Sequence, residues 1–432
     1  MKKYSLIIAL FLSAFMYAQE WDTVVSLPGN SPIKQIEIVN TNTIYVSSQY
    51  YKLYNWNGTD WSSVGDFNPG FNGLFSYVSD DEIYATHNTY INGKNENEVN
   101  YLAKWDGLNW TNFGDFNQPK HIYNFRVLSD SEVYAVGAFD DLEDYRWRAV
   151  AKFNGSNWSV IGKDQQFGGT YSGNNSLWVN NENDIYSKHD GYRSNGHQFV
   201  KHWDGTEWKV LSNGNLDETD GVDRIHYVSE NEIYINTWNT NFDYGVIGYW
   251  DGDYWKILGD IQSAVFTNGF YGSLDFVFVS SSEIYAFGSA LRTSTNYTYQ
   301  VAVWNGNTWT KLGNLDANKP VTAGFYKGGF LYVGGSFTEG GKTLIKRIDA
   351  QKVLNTINFK TKTRVVYPNP VKDICSLNKT YKTVKVYSLL GKELLAQNNS
   401  TEINFSDFKQ GIYLLELTDD DNHRIIQKII KN

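Results

Sequence analysis

A six-residue unit that returns about every 50 residues constrains the fold of this chain more than any other feature of its sequence. Each copy starts with an aromatic residue, continues with Asn-Gly or Asp-Gly and two variable residues, and ends with Trp. Successive copies start 49, 48, 50, 47 and 54 residues apart, a period that is typical of propellers and solenoids. The copies are Trp56–Trp61, Trp105–Trp110, Phe153–Trp158, Trp203–Trp208, Trp250–Trp255 and Trp304–Trp309.

This unit predicts a β-hairpin. Asn-Gly and Asp-Gly favour a two-residue type I′ turn, because both central positions of that turn need a positive φ. With such a turn, Trp56 would pair with Thr59 and Tyr54 with Trp61. The two Trp side chains would then be diagonal neighbours on one face. The hairpin also predicts a structural role for the turn carboxylates, which are Asp106, Asp204 and Asp251.

An apolar residue followed by Tyr is a second marker, which lies between the hairpins and occurs seven times. The copies are Ile44-Tyr45, Ile83-Tyr84, Val133-Tyr134, Ile185-Tyr186, Ile233-Tyr234, Ile284-Tyr285 and Leu331-Tyr332. The extra copy is accounted for if the N-terminal strand Trp21–Leu27 pairs with Leu344–Asp349. A ring closed in this way leaves no open edge. With an aromatic content of 16%, the pattern predicts an all-β, seven-bladed β-propeller over residues 20–350, closed by its N-terminal strand.

The blade plan is similar to that of kelch-like and sialidase-like propellers, but it departs from both. Kelch blades carry a Gly pair after the second strand, which only Gly334-Gly335 provides in this chain. Sialidase boxes place a residue between Asp and Gly, whereas Asp106 and Gly107 are adjacent. Neither resemblance therefore transfers active-site residues to this chain.

The first and last segments predict export. Lys2 and Lys3 precede a short apolar stretch from Leu6 to Ala18, so we expect residues 1–19 to be a secretory signal peptide. No other apolar run approaches the length of a membrane span, and the mature protein is expected to have none. Residues 351–364 are polar and basic, which is typical of a linker.

Four motifs follow the linker in a fixed order. They are Val365–Lys372, Val384–Lys392, Ile403–Leu415 and Ile425–Lys431. This set resembles the type A C-terminal sorting domain of type IX secretion, found in the Bacteroidetes. Ser388, where Asp is common, and Cys375 are its departures. For residues 365–432 the resemblance implies a small Ig-like β-sandwich, the type IX secretion machinery as partner, and release or cell-surface attachment after outer-membrane translocation.

The charge is distributed unevenly and limits the classes of partner. The formal net charge is −9, but residues 360–432 carry +4 and the two N-terminal lysines +2, which leaves −15 for residues 4–359. An acidic body repels phosphate backbones and anionic lipid, so we expect no nucleic acid partner. The single cysteine, Cys375, allows no intramolecular disulfide, and its alternating neighbours predict a buried thiol.

Candidate ligand-binding residues follow the Ile-Tyr strands, because propellers usually bind at the face where the second strands end. They are His87, Asn88, His189, Asp190, Trp238 and Asn239. Polar and aromatic residues at such a mouth suit sugars or peptides. The sequence contains no metal-ligand spacing, nucleophile elbow or phosphate loop, so we predict no catalytic residue, cofactor or metal.

We therefore expect a secreted or cell-surface, non-catalytic binding protein that recognises carbohydrate or protein ligands through the propeller mouth. An extracellular polysaccharide hydrolase or lyase is the alternative, and it requires convergent carboxylates at the mouth. The candidates for that role are Asp140, Asp141, Glu143, Asp190 and Asp243. A structural part of a surface or gliding apparatus is a third possibility.

Overall fold

The computed structural model describes most of the chain after the predicted signal peptide. The described residues are 20–48, 52–65, 71–90, 98–113, 119–139, 149–162, 176–190, 198–211, 219–239, 244–261, 265, 274–288, 299–315, 317–350, 366–388, 392–418 and 424–432. The side chains at several strand ends, including residues 87–90, 189–190 and 238–239, are outside this description. The predicted signal peptide (1–19) and linker (351–364) also lie outside the described residues. The chain divides into two compact units, Met1–Val353 and Leu354–Asn432.

Seven antiparallel sheets, the blades of a propeller, make up the first unit. Its first strand is β1 (Asp22–Ser26). Blade 1 contains β2 (Ile33–Asn40), β3 (Thr43–Ser48), β4 (Leu53–Trp56) and β5 (Trp61–Ser63). Blade 2 contains β6 (Phe71–Ser79), β7 (Glu82–Tyr90), β8 (Glu98–Trp105) and β9 (Trp110–Asn112). Blade 3 contains β10 (Pro119–Ser129), β11 (Glu132–Phe139), β12 (Ala149–Phe153) and β13 (Trp158–Val160). Blade 4 contains β14 (Leu177–Asn181), β15 (Asp184–Asp190), β16 (Gln198–Trp203) and β17 (Trp208–Leu211).

The remaining blades follow the same plan. Blade 5 contains β18 (Thr219–Ser229), β19 (Glu232–Asn239), β20 (Tyr244–Trp250) and β21 (Trp255–Ile257). Blade 6 contains β22 (Leu274–Ser280), β23 (Glu283–Gly288), β24 (Val301–Trp304) and β25 (Trp309–Lys311). Blade 7 contains β26 (Val321–Lys327), β27 (Phe330–Gly335), β29 (Lys342–Asp349) and β1, with the short β28 (Thr338–Glu339) paired to β29. The all-β, seven-bladed fold predicted from the repeat is therefore confirmed.

The ring closes through the N-terminal strand. β1 pairs antiparallel with β29, with Thr23 opposite Lys346 and Ser26 opposite Leu344. The first strand of every blade contacts the first strand of the next blade, and β26 of blade 7 contacts β2 of blade 1 in the same way. The first strands are therefore the innermost strands of the ring. One buried cluster, which includes Leu27, Ile33 and Ile345, joins the closing blade to blade 1.

The hairpin register differs from the one predicted by the sequence. Trp56 pairs directly with Trp61, so four residues rather than two separate the paired positions. φ is positive at Gly58, but Asn57 is not among the residues with a positive φ, which a type I′ turn would require. The Oδ1 atom of Asn57 instead accepts hydrogen bonds from the backbone N–H groups of Thr59 and Asp60, both at 2.9 Å. The predicted two-residue turn was wrong because this side chain closes a wider loop.

The two aromatic rings of each unit pack against each other across the hairpin in a tilted arrangement. Ring centroids are 5.4–5.6 Å apart in all six units. The Trp of the outer strand also reaches the preceding blade: Trp110 Nε1 donates to the Val64 carbonyl at 2.7 Å, and Trp255 Nε1 to the Leu211 carbonyl at 2.8 Å. Trp21 makes the same bond to the Leu312 carbonyl at 3.2 Å, so the N-terminal strand occupies the outer position of blade 7.

The second unit is also built from strands. They are β30 (Val366–Tyr367), β31 (Ile374–Ser388), β32 (Glu393–Asn404), β33 (Gly411–Thr418) and β34 (Arg424–Lys431). The long β31 is shared, pairing with β30 near its start, with β33 near its end and with β32 along most of its length. Residues from both halves of β31 join one buried cluster. The Ig-like assignment stays a prediction. Cys375 is fully buried in that cluster, and burial raises the pKa of its thiol to about 11.

Candidate binding mouth

The strand directions define two faces of the propeller. One face contains the turns from the first to the second strand and from the third to the fourth strand of the blades, and we call it the turn face. Each second strand begins at this face, and each third strand ends there. The two kinds of turn touch there, since a Cβ on Gly58 would lie 3.0 Å from the Asn42 Cβ, and one on Gly155 3.1 Å from the Ser131 Cβ. The second strands end at the opposite face, which we call the mouth.

The predicted binding residues lie at the mouth end of three second strands. His87 pairs with Tyr101 in the ladder between β7 and β8, and Asn88 follows it. His189 and Asp190 are the last residues of β15, and Trp238 and Asn239 are the last residues of β19. The backbone therefore puts the six residues at one end of blades 2, 4 and 5.

The side-chain contacts of these residues lie outside the described part of the structure. The side chains of His87, Asn88, His189, Asp190, Trp238 and Asn239 are not among those described. The same holds for the side chain of Asp190 as a candidate catalytic carboxylate, and Asp140, Asp141, Glu143 and Asp243 are outside the described residues altogether. The binding and catalytic roles of these residues both remain hypotheses.

A belt of buried polar residues precedes the predicted residues along the same strands. It was not foreseen from the sequence, because polar residues on a strand are ordinarily assigned to its exposed face. The belt consists of Ser47, Ser48, Thr86, Ser187, Lys188, Asn236 and Thr237, all at most 4% exposed. They belong to blades 1, 2, 4 and 5. The position two residues after the marker Tyr is instead apolar or Gly in blades 3, 6 and 7, where it holds Val136, Phe287 and Gly334.

Part of this belt is satisfied by hydrogen bonds and part is not. Asn236 accepts a bond from the backbone N–H of Arg224 at 2.6 Å and donates to the Leu274 carbonyl of the next blade. Ser187 Oγ donates to the Ser176 carbonyl at 3.2 Å. Within the described part of the chain, the hydroxyls of Ser47, Ser48 and Thr86 have no partner. Unpaired buried hydroxyls are costly, so their presence at the base of the mouth calls for an explanation.

A ladder of rings links the innermost strands of four successive blades. The Arg126 guanidinium lies 4.3 Å from the centroid of the Trp178 ring, which lies 5.0 Å from His226, which in turn stacks on Phe278 at 4.2 Å. Burial lowers the pKa of His226 to about 4, and the charges of Arg126 and Arg224 act in the same direction. His226 is therefore a neutral packing residue at neutral pH.

The turn carboxylates serve the hairpins. Asp106 Oδ1 accepts from the backbone N–H groups of Leu108 and Asn109 at 2.9 and 2.7 Å, and these bonds lower the pKa of Asp106. Asp251 accepts equivalent bonds and pairs with Lys256, which lowers the pKa of Asp251 to about 2. Across the described residues, no group of three or more His, Cys, Asp or Glu side chains is placed to hold a metal ion.

Solved structures that resemble the chain are propellers and other proteins of low identity. "YCF48 bound to D1 peptide" is 13% identical and matches over 76% of this chain and 96% of its own, with a TM-score of 0.47. The WD40 β-propeller domain of Doa1 is 12% identical and matches over 78% of this chain and 99% of its own, with a TM-score of 0.46. The extracellular domain of the putative hybrid two-component system BT3049 from B. thetaiotaomicron is 10% identical and matches over 96% of this chain and 58% of its own, with a TM-score of 0.48. No curated protein matches the chain.

The C-terminal unit has a family match. Residues 365–432 match the model of the "Secretion system C-terminal sorting domain", the stretch that carries the four ordered motifs. In the described residues, no helix has the length and apolar character needed to cross a membrane. The chain is therefore an exported β-propeller protein that carries a type IX secretion C-terminal sorting domain and is secreted or attached to the cell surface.

Proposed function

We propose that this protein is a non-catalytic binding protein that recognises carbohydrate or protein ligands at the mouth of the propeller. The observation that carries the proposal is the polar belt, which among the described side chains belongs to blades 1, 2, 4 and 5. Three of these blades also hold the predicted binding residues. A core built for stability alone would fill these positions with apolar side chains, as blade 3 does with Val136.

The chemistry at the belt suits a polar ligand. The belt side chains are buried in the sheet, and the ends of three of the same strands add His, Asn, Asp and Trp, which offer hydrogen-bond donors, acceptors and an aromatic ring. A few polar groups beside an aromatic ring can both orient a sugar and cover its apolar face.

A glycan array and a pull-down from surface extracts, both with the purified full-length chain, test the proposal. Three double variants remove the predicted contacts: H87A/N88A, H189A/D190A and W238A/N239A. Val210→Ala is the matched control, because Val210 is 43% exposed and lies on the outer strand β17. We expect at least one double variant to bind the identified ligand about tenfold or more weakly, equivalent to about 1.4 kcal/mol, and the control to bind it as tightly as the unmodified protein does.

Two outcomes would contradict the proposal. One is that neither screen yields a ligand, or that all three double variants bind as well as the Val210 variant. The other is that a bound glycan is converted to shorter fragments by the unmodified protein and not by Asp190→Asn, which would favour the hydrolase or lyase.

A further inference from the structure

A β-bulge recurs in the first strand of six blades, where the strand nears the turn face. At each bulge the ladder skips one residue, as between Tyr77 and Ser79 in β6 and between Tyr227 and Ser229 in β18. The skipped residue is withdrawn from the regular pairing. Five of the six are apolar and form what we call the bulge collar: Val39, Val78, Leu128, Val228 and Val279. Blade 4 has Asn180 at this position.

Three of the five side chains of the bulge collar are exposed. Val78 is 50%, Leu128 45% and Val228 42% exposed. The other two, Val39 and Val279, are half-buried. A single exposed apolar side chain needs no explanation, but the same position in three blades of one ring does. Because each first strand contacts the next, these side chains surround the inner opening of the turn face. Two further exposed side chains, Leu108 and Tyr254, lie in outer turns of the same face.

Carboxylates surround the collar. The thirteen turns of the described turn face contain sixteen Asp and Glu residues and one basic residue, Lys327. Four lysines at adjacent strand ends, Lys104, Lys152, Lys209 and Lys256, pair with some of these carboxylates and leave a large negative excess. A surface that combines an apolar centre with a strongly negative surround is complementary to a partner with apolar and cationic groups.

We propose that the turn face is a second binding surface, separate from the mouth, for a cationic protein segment that places apolar side chains on the bulge collar. The apolar contacts supply the affinity at the collar, and the carboxylates attract and orient the segment. The excess negative charge excludes acidic proteins, nucleic acids and anionic lipid from this face. The mouth can bind its own ligand independently, since it lies at the other end of the strands.

The full-length chain can be titrated with a fluorescent peptide that repeats Lys-Leu-Gly. Peptides that repeat Lys-Ser-Gly and Glu-Leu-Gly test the apolar and cationic requirements separately. The collar variant is V78S/L128S/V228S, and Val210→Ser is its control, because Val210 is 43% exposed but lies on the outer strand β17. We expect the collar variant to bind the Lys-Leu-Gly peptide at least about tenfold more weakly, and Val210→Ser to bind it unchanged.

The charge requirement is tested with exposed carboxylates that accept no side-chain hydrogen bond within the described structure. The turn-face variant is D81N/E230Q/D253N, and its control is D373N/E402Q/D407N, which neutralises as many exposed carboxylates elsewhere. We expect only the turn-face variant to lose affinity, and the affinity of the unmodified protein to fall as NaCl is raised to about 0.5 M.

Equal affinity of the collar variant and Val210→Ser would overturn the proposal, as would equal affinity of the two charge variants. So would equal binding of the Lys-Leu-Gly and Lys-Ser-Gly peptides. An external partner is also excluded if replacing Lys352, Lys360, Lys362 and Arg364 by Ser raises peptide affinity about tenfold, because the chain's own basic segment would then be the occupant. Self-association that the collar variant abolishes would identify a second copy instead.

Discussion

At the scale of single residues, the hairpin units show why composition predicts a turn more readily than its register. Asn-Gly is compatible with both a two-residue and a four-residue loop, and the choice depends on how the Asn side chain is used. In this protein the side-chain oxygen accepts hydrogen bonds from two backbone N–H groups, as at Asn57 and Asn154. The aromatic partners, the Gly and the structural role of the turn were predictable from the sequence, but the hydrogen-bond pattern was not.

Replacing Asn57 tests this role. Asn57→Ala removes the acceptor of two bonds to backbone N–H groups, so we expect a loss of about 0.5–1.5 kcal/mol in the free energy of unfolding. Asn57→Asp keeps an oxygen in place, as in the Asp106 and Asp204 units, and should unfold close to the unmodified protein. Denaturant unfolding of the three proteins measures the difference, and equal losses in both variants would refute it.

The lowered pKa of His226 predicts a pH dependence of stability. Since its folded pKa is about 4 and the ordinary value is 6.5, the unfolded chain binds the extra proton between these values. The contribution of the neutral ring is therefore present above pH 6.5 and is lost as the pH falls towards 4. Because water screens the partly exposed ring, we expect a loss of about 1–2 kcal/mol.

His226→Phe keeps a ring between Trp178 and Phe278 but cannot titrate. The free energy of unfolding of this variant should fall less between pH 7 and pH 4.5 than that of the unmodified protein. Burial raises the pKa of Glu37 to about 7, which acts in the opposite direction in both proteins and cancels in the comparison. Parallel pH profiles for the two proteins would rule out this role of His226.

At the scale of elements, a Gly that follows the outer strand in blades 1, 3 and 5 allows neighbouring hairpins to pack. Gly65 has a φ of +64°, and a Cβ on it would lie 2.6 Å from Cζ3 of Trp105. Gly162 and Gly259 take the same position against the Trp pairs of the next described hairpins. In the sequence this Gly follows the second Trp of the unit after two variable residues and one apolar residue, as in Trp61 to Gly65. This pattern could have been recognised together with the turn. The ladder of rings from Arg126 to Phe278 could not have been recognised in the sequence, because it depends on which side chains of the innermost strands meet across separate blades.

Gly259→Ala should therefore be more harmful than Gly29→Ala. Both have a positive φ, so Ala costs about 1–2 kcal/mol in backbone conformation at either site. Only at Gly259 does the new Cβ also meet a ring, 2.7 Å from Cζ3 of Trp304, whereas nothing lies within 4 Å at Gly29. We expect about 1–3 kcal/mol of additional destabilisation for Gly259→Ala in thermal or denaturant unfolding. Equal losses at the two sites would contradict the packing role.

At the scale of the whole chain, the count of repeats made the fold predictable. Seven Ile-Tyr markers against six complete hairpins required an exchanged strand, and Trp21 supplies the missing outer Trp. The positions of the predicted mouth residues follow from this ring, because closure aligns the ends of all seven second strands at one face. Which side chains converge there could not be derived from a repeat whose loops differ in length and composition from blade to blade.

Closure of the ring by β1 is the physical claim on which both binding surfaces depend, and a disulfide tests it most directly. In a Cys375→Ser background, Thr23→Cys is combined with Lys346→Cys, its partner in the ladder, or with Lys342→Cys as a control, about 13 Å further along the same strand. Peptides joined by a disulfide are then identified by mass spectrometry under non-reducing conditions. We predict a disulfide between positions 23 and 346 and none between 23 and 342. Absence of the first disulfide, or equal formation of both, would contradict a ring closed by the N-terminal strand.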